Sequence, residues 1–140
     1  MVINVGLGLG EGVVSGTVEV DQVHVSKHQP AEGLEFRYLV GDKRACIVLD
    51  RRTGWGTTME DTLFHQRLRP ALEYSDLRDL VRTAVQLDGI YAQPLDIEFS
   101  FEDGSLQVLQ ARPIASFEQA LAETVRDYPL SVSVARKEAS

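Results

Sequence analysis

The clearest alternation in the chain runs from Leu95 to Phe101. Leu95, Ile97, Phe99 and Phe101 fall on one side and Asp96, Glu98 and Ser100 on the other, as a half-buried strand requires. After the turn signal Glu102-Asp103-Gly104, residues 105–112 read as a return strand, which makes a β-hairpin. Further upstream, Ile3 to Val5 reads as a short strand leading into a glycine run. Val13 to Val25 is valine-rich, consistent with one or two strands bent at Gly16 or at Asp21-Gln22. Leu34 to Val40 and Arg44 to Leu49 read as strands joined by a Gly41-Asp42 turn into a second hairpin, with His28 to Gly33 as a loop before them. Asp50 to Pro70 has no clear periodicity and is expected to cross the surface. The period then becomes helical, with Ser75 as N-cap, Asp76 and Asp79 in the first turn, an apolar face of Leu77, Leu80, Val81, Ala84 and Leu87, and Gly89 as stop. Phe117 to Arg126 is expected to form a last helix broken by Pro129, and Arg136 to Ser140 to fray. The sum is an α+β fold, an antiparallel β-sheet with a packed helix.

The hairpin matters because it carries a carboxylate, an amide and a guanidinium: Glu98, Gln110 and Arg112. Which face they share depends on the turn. A two-residue Asp103-Gly104 loop pairs Phe101 with Leu106 and Ile97 with Gln110, and puts Gln110 and Arg112 on the opposite face from Glu98. A three-residue loop, Glu102-Asp103-Gly104 with Gly104 left-handed, pairs Asp96 with Gln110 and gathers Asp96, Glu98, Gln110 and Arg112 on one face. Leu95, Ile97, Phe99, Leu109 and Ala111 then share the core face. Hydrophobicity hardly separates the two, since Leu106 and Val108 compete with Leu109 and Ala111; the three-residue register is the expectation.

On that face Glu98 offers a hard anionic oxygen to Mg²⁺ and Gln110 a neutral carbonyl oxygen, and the ion would bridge both to phosphate oxygens. Arg112 can donate a bidentate pair to a phosphate, which stabilises charge as a phosphoryl group transfers. The competing reading is an exposed polar face with a surface ion pair worth roughly 0–1 kcal/mol.

Two stretches then resemble a known family. Gly8-Leu9-Gly10-Glu11-Gly12-Val13-Val14-Ser15-Gly16 resembles its glycine-rich segment, and Gln93 to Phe99 with Leu109-Gln110-Ala111-Arg112-Pro113-Ile114 resembles its terminal hairpin. The family is the ATP-binding domain of phosphoenolpyruvate synthase and pyruvate phosphate dikinase, shared with rifampin phosphotransferase. The resemblance covers roughly residues 3 to 115; from about His28 to Glu73 nothing matches. It implies the later portion of an ATP-grasp nucleotide-binding domain over residues 1–115, followed by a C-terminal helical extension and tail over 116–140. It also implies Mg²⁺ and ATP as cofactors, with Glu98 and Gln110 as metal ligands and Arg112 as the catalytic and phosphate-binding residue. Glu11 is a further cofactor-binding candidate on the resemblance alone. In such enzymes an earlier half supplies a lysine, an arginine and the adenine-binding strand, and a carrier-histidine motif and an acceptor barrel come later. The chain is therefore expected to be an ATP/Mg-binding segment of a dikinase-type kinase or transferase, inactive alone, with the remaining domains of the parent enzyme as partners. The alternative is a stand-alone, non-enzymatic module that binds a nucleotide or a protein.

Composition narrows the rest. A length of 140 residues suits one domain, and the single Cys46, within the apolar run Ala45 to Leu49, reads as a buried thiol. A formal net charge of −7 argues against nonspecific nucleic-acid binding, and no apolar run approaches membrane length, so a cytoplasmic protein is expected. The glycine run lacks G-x-G-x-x-G and a Walker lysine, leaving it either packed close to backbone or near the nucleotide. His24 and His28 straddle a strand end and do not form a zinc pair. Arg51, Arg52, Arg67 and Arg69 would form an anion site if the loop folds back, and solvated charge is the default reading. Trp55, between two glycines, either anchors a partner or pins its loop. An unpaired strand edge invites self-association.

Overall fold

The computed structural model describes residues 1–26 and 33–114, and the backbone of 131–137. In chain order the elements are β1 (Val2–Leu7), α1 (Gly10–Val14), β2 (Asp21–Val25), β3 (Phe36–Leu39), β4 (Ala45–Leu49), β5 (Thr57–Asp61), α2 (Phe64–Arg67), α3 (Tyr74–Tyr91), β6 (Leu95–Glu102), β7 (Ser105–Pro113) and β8 (Ser131–Lys137). The architecture is α+β. A six-stranded sheet runs β3-β2-β1-β8-β6-β7, and β4 and β5 form a two-stranded sheet of their own. The large sheet is mixed: β8 is parallel to both β1 and β6, and the other pairings are antiparallel.

Alternation in β1, β2 and β6 builds the core. Ile3, Val5, Val23, Leu95, Ile97, Phe99 and Phe101 are buried on one face and meet Leu77, Leu80, Val81 and Ala84 of α3. Each such side chain contributes about 1.5–3 kcal/mol by leaving water. The helix extends beyond the expected limits. Ser75 lies inside it, Glu73 is the N-cap residue without a side-chain cap bond, and the helix runs through Gly89 to end at Ala92 in the left-handed conformation.

Several expectations are corrected. Gly10–Val14 is a short helix where a strand was expected from Val13, because Gly12 and Val13 are wedged between the large sheet and Ile47 of β4, and packing overrides β-branched propensity. Leu34–Val40 and Arg44–Leu49 do not form a hairpin with each other: β3 pairs with β2, whereas β4 pairs with β5. The cause is buried Asp21, which accepts hydrogen bonds from the Gly41 amide at 2.9 Å, the Lys43 ammonium, the Tyr38 hydroxyl at 2.9 Å and the Ala71 amide at 2.7 Å, and so carries the chain across to the second sheet. The aperiodic stretch from Asp50 contains β5 and α2. Its loop is organised by the Asp50 carboxylate, which accepts from the amides of Arg52 at 2.9 Å and Thr53 at 3.2 Å. Arg136 and Lys137, expected to fray, belong to β8 in the middle of the sheet. His28 and the expected helix over Phe117 to Arg126 lie outside the described residues.

Candidate functional site

The hairpin β6–β7 adopts neither register considered from the sequence. Its turn is the two-residue one, Asp103-Gly104, both at positive φ (50° and 76°), and it pairs Glu102 with Ser105 and Phe101 with Leu106. The expected pairing of Asp96 with Gln110 is therefore wrong. A bulge at Glu98/Phe99, where Phe99 faces Val108 and Glu98 faces Gln110, inserts Leu109 as an extra residue. From there the ladder runs Glu98–Gln110, Ile97–Ala111, Asp96–Arg112. Directly opposed residues share a face, so Asp96, Glu98, Gln110 and Arg112 are gathered on one side after all, with the bulge doing what a longer turn was expected to do. Leu109, expected in the core, is 61% exposed, as an unpaired bulge residue on an edge strand should be.

Within this group Asp96 fixes Arg112. The Nε and Nη2 of Arg112 donate to one carboxylate oxygen of Asp96, at 3.0 and 2.7 Å. Those hydrogen bonds first, then the Asp96 charge, raise the guanidinium pKa above its ordinary value, with a smaller contribution from the Glu98 charge. Sequence reading placed Asp96 on this face but gave it no task. The signal was its two-residue offset from Glu98, matching that between Gln110 and Arg112. Glu98 and Gln110, as cross-strand neighbours, hold their Cβ atoms about 4.5–5.5 Å apart, within reach of one cation.

The polar face continues past the hairpin. Gln22 opposes Asn4, Asn4 opposes position 133, position 133 opposes Glu98 and Glu98 opposes Gln110, so one row crosses five strands. The amide of Gln22 donates to Asn4 at 3.4 Å, and His24 contacts Gln22 at 2.9 Å. At the next position of β1 on this face is Gly6, where a Cβ would come within 2.5 Å of Val13 Cγ2, so α1 covers that end. The glycine run is explained in part by close packing: a Cβ on Gly8 would collide with the Ile47 carbonyl, and the Leu9 amide donates to that same oxygen at 2.7 Å. Glu11 is exposed on α1 and accepts from Thr57 Oγ1 at 3.0 Å; its described contact is with β5 and not with the Glu98 group. Arg67 is engaged with Asp42, Trp55 is 88% exposed at the tip of the β4–β5 hairpin, and among the described residues no helix is long and apolar enough to cross a membrane.

Residues 1–129 match the family described as pyruvate phosphate dikinase, AMP/ATP-binding domain. The chain is 28% identical over 123 residues to a probable phosphoenolpyruvate synthase from Methanocaldococcus jannaschii, covering 88% of this chain and 10% of that protein. With the phosphoenolpyruvate synthase of Escherichia coli it shares 33% identity over 112 residues, 76% of this chain and 14% of the relative. A prodigiosin synthesizing transferase, PigC, from Serratia marcescens is 36% identical over 117 residues, 83% and 12% of the two chains. The chain thus spans about a tenth to a seventh of the length of these curated relatives.

Proposed function

We propose, from the premise that this chain belongs to the pyruvate phosphate dikinase AMP/ATP-binding family, that it is the ATP- and Mg²⁺-binding segment of a dikinase-type phosphotransferase. The observation that carries this reading is the pairing of Glu98 with Gln110 beside an Arg112 already oriented by Asp96. The α+β architecture agrees with the later portion of an ATP-grasp domain.

The donor set fits Mg²⁺ in particular. That ion takes one or two carboxylates and completes its shell with water and phosphate oxygens, and an all-protein cage is not its habit. Glu98 supplies the charge and Gln110 the neutral oxygen; among the described residues no group of three or more His, Cys, Asp or Glu converges on a point. When bound, the ion neutralises charge on the phosphates. Arg112 is placed to donate to a phosphoryl oxygen, with Asp96 holding its plane and limiting the rotamer freedom it loses on binding. Glu11 enters the same reading from the glycine-rich segment. Acceptor chemistry, such as passage of the phosphoryl group through a histidine to pyruvate, is assigned to the remaining domains of the parent enzyme, and a cytoplasmic location follows from that role.

The test is a titration of isotope-labelled chain with ATP in the presence and absence of Mg²⁺, read by backbone amide shifts. Mg²⁺ should tighten ATP binding in the wild type, and Glu98→Gln should remove that increment. Arg112→Ala should weaken ATP binding about tenfold or more, since hydrogen bonds to charged groups contribute roughly 1.5–3 kcal/mol. An undiminished Mg²⁺ increment in Glu98→Gln would sink the assignment.

A further inference from the structure

The polar row that crosses the sheet continues beyond Glu98 and Gln110. Asn4 stands in the same row as Glu98, two strands away, with position 133 of β8 between them. Two strand spacings put their backbones about 10 Å apart. Asn4 is half-buried, and its carboxamide is oriented by a chain of two hydrogen bonds. The Nε2 of His24 lies 2.9 Å from the Oε1 of Gln22, and since an amide oxygen only accepts, the histidine is the donor. Gln22 thereby turns its amide nitrogen to the Oδ1 of Asn4, at 3.4 Å. With its oxygen engaged from the β2 side, Asn4 presents its Nδ2 the other way, toward the strands that carry Glu98 and Gln110. Among the described residues nothing accepts from that nitrogen. Two N–H donors are thus preset on the open face, at a fixed distance from the Glu98 group, and no contact within the described fold uses them.

We infer that Asn4 is a specificity residue for the nucleotide, donating to a ribose hydroxyl of the nucleoside triphosphate whose phosphates lie at Glu98, Gln110 and Arg112. Gln22 and His24 are positioning residues that set its amide. The inference rests on the nucleotide reading above and names the group at the far end of that site. An ion between Glu98 and Gln110 sits over β6 and β7, and the phosphates that coordinate it stay there with Arg112. The nucleoside then runs either way along the row. Past β7 the sheet ends, and at the Gly6 position α1 covers the face. Toward β1 the face stays open and polar, through Asn4, Gln22 and His24. Distance selects the sugar. Mg²⁺ binds phosphate oxygens at about 2.1 Å, and an Asn4 hydrogen bond spans about 2.9 Å, so across a separation of about 10 Å the coordinated phosphates stay out of its reach and the ribose comes within it. Charge agrees, because a neutral amide suits a hydroxyl, whereas a phosphate calls for arginine or lysine.

Binding of ATP and of 2′,3′-dideoxy-ATP, each with Mg²⁺, to the full chain and to its Asn4→Ala variant forms a cycle that isolates this one contact. Wild type should prefer ATP by about twofold to tenfold, the worth of one neutral hydrogen bond. Asn4→Ala should bind the two nucleotides equally and should hold Mg-tripolyphosphate, which has no sugar, as tightly as wild type does. Gln22→Leu leaves the Asn4 amide unset and should lose part of the preference while keeping the whole Mg²⁺ increment. A wild type indifferent to the sugar hydroxyls, or an Asn4→Ala variant that discriminates as wild type does, would overturn the inference while leaving intact the Mg²⁺ increment and its loss in Glu98→Gln. Absence of that increment in wild type would remove the nucleotide reading and this inference together. Should Asn4→Ala fail to fold by circular dichroism, Asn4→Asp, of the same shape and without a donor, takes its place in the cycle. Where neither folds, a Gln22→Leu variant that keeps the full preference overturns the inference and one that loses it supports it.

Discussion

Gly8 shows how a residue that looks like a nucleotide signal can be dictated by packing. It sits at φ 81° with its α-carbon against the Ile47 carbonyl, bridging the first strand to the β4–β5 hairpin. Gly8→Ala should destabilise the protein by at least about 1–2 kcal/mol, the cost of a left-handed L-residue, before the clash with Ile47 is counted. Gly89→Ala should do the opposite. Gly89 lies within α3 with nothing near an added Cβ, so alanine should stabilise by about 0.5–1 kcal/mol. Denaturant midpoints of both variants check the two signs. Asp42 gives a pH signature. Hydrogen bonds from Arg67, then from Arg44, hold its carboxyl well below the usual carboxylate range. A depressed native pKa contributes stability that is present above the unfolded value, about 3.9, and is lost as pH falls below it toward the native value. The melting-temperature gap between wild type and Asp42→Asn should therefore be widest near neutral pH and close progressively below about pH 4. A gap that persists unchanged in acid would show that the carboxylate charge is not what the arginines read.

At the scale of elements, the hairpin tests whether face and register are separate properties. Because Leu109 is the extra residue opposite Glu98, deleting it should leave Glu98 opposite Gln110 and Asp96 opposite Arg112, in a ladder without a bulge. Cross-strand contacts between Glu98 and Gln110 should survive in the deletion variant; a shift of Gln110 opposite Ile97 would refute this account. The hairpin also marks what the sequence could tell. Strict alternation from Leu95 to Phe101 and the 3.6-residue apolar period from Leu77 to Ala84 were legible because burial on one face leaves a periodic trace. The grouping of Glu98, Gln110 and Arg112 was legible as a set of functional groups, but the bulge that unites them was not, since Leu109 is as apolar as its core-facing neighbours. β4 was legible as a strand, but β5 and its pairing with β4 were obscured because the loop between them draws its order from one side chain, Asp50. β8 was hidden for another reason: its partners β1 and β6 lie far away in sequence, and a parallel pairing leaves no local signal at all.

For the molecule as a whole, the two sheets and the helix meet at buried Asp21. It links β2 to Tyr38 of β3, to Gly41 and Lys43 on the way to the second sheet, and to Ala71 just before α3. Burial, then the Asp21 charge, drives the Tyr38 phenol well above its ordinary pKa, so the hydroxyl remains a donor to the carboxylate. Removing the acid with Asp21→Ala strands the Lys43 ammonium, which is fully buried, and should cost about 3–5 kcal/mol, a large part of the 5–15 kcal/mol that holds a domain together. A buried ion pair on its own can often be replaced by apolar residues with little loss. This one should not tolerate that. In Asp21→Val/Lys43→Met the charges are gone, but the Gly41 amide and the Tyr38 hydroxyl lose their carboxylate acceptor, at about 1–3 kcal/mol each where no replacement is found, while the Ala71 amide keeps the Tyr38 oxygen at 3.0 Å. The Lys43 ammonium also donates to the carbonyl of Arg69 at 2.9 Å, a bond the methionine cannot make. Equilibrium denaturation should therefore place the double variant several kcal/mol below wild type and near Asp21→Ala. Recovery to wild-type stability would mean that the node is only an ion pair, and that the crossing between the sheets is held elsewhere.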